Sequence, residues 1–136
     1  MEINEVPREQ WQTFCDTFNR QHQGWLTSIE QLDTPSVESD WMVSEHQAQV
    51  LVREMPFQGL LAEPREDGVA LTVMMSEGRQ HIAHPVPQPQ RLFFQQTPTG
   101  AHKGLRIDQA SGQSLLIRFR AAALPQELDD LTKSDR

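Results

Sequence analysis

Cysteine occurs once in the 136 residues, at Cys15. That excludes an intramolecular disulfide and fits a reducing cytoplasm, the expected location. No apolar run is long enough to cross a bilayer as a helix. The start, Met1-Glu2-Ile3-Asn4-Glu5, lacks the basic and apolar regions of a secretory signal, so none is expected. Positive charge is scarce: 12 Lys and Arg stand against 19 Asp and Glu, for a net charge of −7. Such a surface repels phosphate backbones and anionic lipid, so neither nucleic acid nor membrane is an expected partner. There is no GxGxxG, no phosphate loop, no internal repeat and no heptad pattern. No residue pattern asks for a cofactor.

The length suits one domain with a self-sufficient core. The reading is a single domain over 1–124, with a helix over 7–23 and strands over 25–120, and a polar tail over 125–136 that is expected to fray. The helix is the clearest element. Pro7 suits a first helical position. Trp11, Phe14, Cys15 and Phe18 fall on one face, and Gly24 is the stop signal. Strands are predicted at 25–32, 48–53, 57–63, 69–75, 91–97, 105–108 and 115–119, with Pro56 and Gly59 bracketing a bend. Val69, Leu71, Val73 and Met75 alternate strictly. Residues 105–119 form a hairpin about the turn 110–113, with Arg106, Arg118 and Arg120 on a solvated face away from Leu105, Ile107 and Ile117. Residues 33–46 are a loop or a short helical turn. The expected fold is mainly β (α+β): an amphipathic helix packed on an antiparallel meander of about 6–7 strands, curled into a partial or closed small barrel.

Within "HIAHPVPQPQRLFFQQT", His81 and His84 lie on opposite faces if the segment is a strand, and on one side only if it is polyproline-like. Two ligands do not make a metal site, and nothing in the spacing supplies a third, so no metal is expected. Pro85, Pro87 and Pro89 have a period of two, which removes backbone donors from one edge. That describes a stiff connector that blocks pairing with a second sheet. Cys15 and His22 are two helical turns, about 10 Å, apart, too far for a nucleophile and its base. Glu63, Glu66 and Asp67 surround a turn, where carboxylates serve as solvating groups. Ser111-Gly112 is a turn with no following helix, and Gly100 to Gly104 is a plain loop. No catalytic residue is assigned.

The blocks "EQWQTFCDTFNRQHQGWLTSIE", "MPFQGLLAE", "HIAHPVPQPQRLFFQQT" and "LRIDQASGQSLLIRFR" come in an order that resembles an uncharacterised family of small bacterial proteins, known as a domain of unknown function. "RQHQGWL" and "LIRFR" carry most of the likeness, which covers residues 9–120. The chain departs from the pattern by a longer segment at 33–46 and by Met74-Met75. The resemblance implies no activity, but it directs attention to His22, His84 and Arg91.

Two functions compete. The first is a non-catalytic cytoplasmic module that binds a protein partner or forms a homo-oligomer, with Trp41, Met42 and Val43 as its contact surface. The second is a protein that binds a small molecule or anion, with His22, His84 and Arg91 converging on a cavity of roughly 300 Å³ or more.

Overall fold

A computed structural model describes residues 2–34, 48–66, 68–97 and 99–123. Trp41, Met42, Val43 and the tail over 125–136 lie outside the described residues.

The chain runs β1 (Glu2–Val6), a 3-10 turn (Arg8–Gln10), α1 (Trp11–His22), β2 (Leu26–Asp33), β3 (Gln49–Arg65), β4 (Gly68–Glu77), β5 (Gln80–Val86), β6 (Pro89–Gln96), β7 (His102–Gln109) and β8 (Gln113–Ala123). Pro7 precedes the helical segment, and its carbonyl accepts the Gln10 N–H at 2.9 Å. Trp11, Cys15, Phe18 and His22 form the buried stripe of α1. Gly24, at φ +83°, turns the chain into β2, a left-handed conformation that costs glycine little.

All eight strands join one antiparallel sheet in the order β1-β6-β7-β8-β2-β3-β4-β5. It is not a single meander. Two meanders, β2–β5 and β6–β8, meet where β2 pairs with β8. β5 and β6 stand far apart in this order, yet only Pro87 and Gln88 connect them. Two residues span at most ~7 Å, so the sheet curls until these strands meet at one corner. It remains open: the partly curled alternative holds and the closed barrel does not. Gln88 takes φ +45° at the corner, and its carbonyl accepts the Ala110 N–H at 3.0 Å.

The predicted bend at Pro56–Gly59 lies inside one 17-residue strand, β3, rather than between two. Glu54 at φ +44° and a register shift between Phe57 and Gly59 bend it. A bulged strand of this kind can serve two half-sheets at once, pairing with β2 at its start and β4 at its end.

The inner face buries Ile29, Phe57, Leu60, Val73, Leu92, Ile107 and Ile117 against α1. Asn19 anchors the helix. Its Oδ1 accepts the Leu60 N–H at 2.8 Å, and its Nδ2 donates to the Leu60 carbonyl at 3.1 Å. Gly59 permits this approach, since a Cβ there would lie 3.2 Å from Asn19 Nδ2. Asn19→Ala strands two half-buried backbone groups and is expected to cost about 1–3 kcal/mol, read as a lower urea midpoint at unchanged m-value.

The outer face departs from expectation. Leu32, Phe93 and Leu116 form a second buried cluster there, with Ile3 and Ala48 against it. Arg106 is fully buried beside them, not solvated. Its Nε and Nη2 donate to Asp108 Oδ1 and Oδ2 at 2.7 and 3.0 Å. Arg118 is partly buried and faces Glu30 at 3.6 Å, while Arg120 is exposed. Alternation marked the face correctly, but a long side chain with a bidentate partner can be buried where a lone charge cannot. No helix among the described residues is long and apolar enough to cross a membrane.

Candidate functional site

The last turn of α1 aims His22 into the core, where it is fully buried. His22 Nδ1 is 2.6 Å from the Phe18 carbonyl, which can only accept, so the proton sits on Nδ1. Nε2 is then an acceptor and takes the Nδ1–H of His102, 2.7 Å away. This leaves the lone pair of neutral His102 on Nε2. Burial pushes the His22 pKa down to about 4, against the raising effect of the Phe18 carbonyl. Burial also lowers His102. Both imidazoles are therefore neutral at pH 7.

Aromatic rings surround the pair. Phe119 stacks on His22 with centroids 4.8 Å apart, and Trp25 meets it edge-on at 4.4 Å. Phe94 packs edge-on against His102 at 4.8 Å. The sequence between Gly100 and Gly104 predicts a plain loop around His102. His102 instead starts β7, and the pairing of β7 with β6 carries it beneath the helix end. Only that register identifies it, and no local motif could have.

The other sequence candidates do not join His22. His84 lies on the edge strand β5, opposite the core residue Val73, and partial burial lowers its pKa. Three residues along a strand, His81 points to the other face. Arg91 is on β6, where its Nε and Nη2 grip Glu5 at 3.0 and 2.6 Å. That hydrogen bond holds the Glu5 carboxyl below its ordinary range. Arg91 also covers the outer-face ring of Phe93 at 4.8 Å. His22 is thus inside the core, His84 is at one edge, and Arg91 is on the outer face at the other end of the sheet.

Burial drives the Cys15 thiol up to about 12, so it stays protonated and is no nucleophile at neutral pH. Among the described residues, no group of three or more His, Cys, Asp or Glu is placed to hold a metal.

A groove lies over the aromatic layer, between β1 and α1. Val6, Phe14 and Phe94 floor it, and Asn4, Gln10, Thr13 and Thr17 rim it, around a volume of about 480 Å³. Phe14 and Phe94 are half-buried and meet edge-on at 5.9 Å. One wall, β1, is an edge strand, and sequence reading missed it because Glu-Ile-Asn-Glu-Val does not alternate. Ile3 serves the outer cluster and Val6 the inner core, so both faces of β1 are partly buried.

A family model described as "Family of unknown function (DUF5335)" matches residues 2–130. The chain belongs to this family. No curated protein and no solved structure matches it. For this DUF5335 chain the site therefore rests on its own geometry: a buried histidine pair packed against Phe94, which with Val6 and Phe14 floors the groove.

Proposed function

We propose that this DUF5335 domain is a non-catalytic cytoplasmic binding module whose groove between β1 and α1 takes an extended segment of a partner protein. One observation carries the reading: an edge strand stands directly beside an apolar groove with half-buried aromatic rings. β1 pairs with β6 on one side, and among the described residues no strand pairs with its other side. A free edge offers a row of backbone donors and acceptors to an incoming strand, and alternate side chains of that strand enter the adjacent groove. Glu5, the one charged residue among those lining the groove, is already paired with Arg91, so the charge preference comes from the chain's net charge of −7. The favoured segment is therefore neutral or basic and carries apolar residues at every second position.

A displayed library of ten-residue peptides tests this. Selected binders should share alternating apolar residues and slow amide exchange in β1. Thr17→Arg, an exposed change on the rim, should weaken them by roughly tenfold or more by obstructing the groove and repelling basic segments. Binders indifferent to Thr17→Arg would overturn the reading. So would a concentration-dependent dimer with β1 protected, which would assign the edge to a second copy of the chain.

A further inference from the structure

A different corner of the fold combines positive charge with a cavity. It lies where β5 passes into β6, roofed by the 3-10 turn and by the end of the β3–β4 hairpin. Its volume is about 340 Å³, at the small end of ligand sites, typically ~300–1,000 Å³. Arg8 and Arg65 line it together with Gln88 and Gln90, and no carboxylate among the described residues does. The two guanidinium groups bring positive charge to a cavity of a chain whose net charge is −7. A concave site with low-dielectric walls concentrates that field.

Arg8 is held in place. Its Nη2 donates to the Pro89 and Gln90 carbonyls at 3.2 and 3.1 Å, and its guanidinium lies 5.1 Å from the Trp11 ring centroid. Its Nε–H and Nη1 donors make no hydrogen bond within the described residues. Gly68, at φ +136°, leaves room for this placement: a Cβ there would sit 3.3 Å from Arg8 Nη1. Arg65 enters from the hairpin end, where it pairs with Gly68 in the ladder. Among the described residues its carboxylate neighbour is Glu63, 4.0 Å away, and both side chains are about half exposed. Such a pair is weak and yields to a better anion. Val86 and Ala110 supply an apolar floor.

We infer that this corner binds a small organic anion, its carboxylate or phosphate head held between Arg8 and Arg65 and a short apolar body lying on Val86 and Ala110. Guanidinium groups match both head groups through paired N–H donors, and prior fixation of Arg8 lowers the ordering cost of binding. The site is independent of the groove between β1 and α1, so either reading can fail without the other.

The test is titration of the full chain with phenyl phosphate and with benzoate, using phenol as an uncharged control, followed by calorimetry and amide shifts. At least one anion should bind saturably, with shifts at Gly68, Gln88 and Gln90, while phenol should not. Arg65→Gln, an exposed change that leaves the fold intact, should weaken binding by roughly tenfold. Arg8→Lys keeps the charge and loses the fork, and should weaken it similarly. Failure of both anions to saturate, equal binding of phenol, or affinity unchanged in both variants would overturn the inference.

Discussion

Asp108→Ala is expected to destabilise the protein by about 3–5 kcal/mol, the cost typical of removing one partner from a buried ion pair. Asp108 is 7 % exposed and Arg106 0 %. The carboxylate accepts two hydrogen bonds from Arg106 and also accepts the Ser114 hydroxyl at 2.6 Å. Ser114 in turn lies 2.9 Å from Thr34 Oγ1, so the chain of bonds ties β7 and β8 to the end of β2. Alanine removes the bidentate acceptor of a buried guanidinium that also lies 4.9 Å from the Phe93 ring centroid. Replacing both partners, as in Arg106→Met with Asp108→Leu, should be far milder, because no buried charge is then separated from its bidentate partner. Guanidinium denaturation of the two single variants and the double variant measures the coupling. A shift below about 1 kcal/mol in Asp108→Ala would show that the pair does not hold this face together.

Acidification should destabilise the fold between pH 6.5 and about 4, through His22. The folded pKa lies below the unfolded one, so the unfolded chain binds a proton that the native core refuses. The contribution is fully present above pH 6.5, falls as the unfolded imidazole becomes charged, and stops changing once pH drops below about 4. At about 1.4 kcal/mol per pH unit this amounts to about 3 kcal/mol. His102, lowered in the same direction, adds to the loss. Protonating His22 at Nε2 would also remove the acceptor that its partner imidazole uses. His22→Leu should flatten most of this slope. Urea midpoints at several pH values across the window check both, and an unchanged midpoint from pH 7 to 4.5 would mean that the pair is not held neutral by burial.

Much of the domain is legible in short stretches of sequence. The α1 stripe, the Gly24 stop, the alternation of β4 and the β7–β8 hairpin are local patterns, and the structure shows all four. The segment around the three prolines is not the expected connector but two paired strands, β5 and β6, joined by two residues. Pro85 sits in β5, a sheet edge, as its missing donor requires. Pro89 instead opens β6, because Gln88 at φ +45° breaks the extended period between them. β1 was illegible because its two faces serve different clusters. β3 read as two strands because a bulge looks like a boundary in sequence. Arg106 read as solvated because charge is normally a surface signal, and its carboxylate partner two residues along the strand looked equally solvated.

The chain by itself determined an amphipathic helix, a β-rich remainder, a net negative charge and a single cysteine. Those properties follow from spacing and composition over a few turns or pleats. Strand order, the open curl of the sheet and the meeting of His22 with His102 across 80 residues were decided in three dimensions. So were the groove beside β1 and the joint placement of Arg8 and Arg65. Hydrophobic patterning tells each segment which face to bury, but not which neighbour will bury it. That choice depends on how all eight strands and the helix fill one core together.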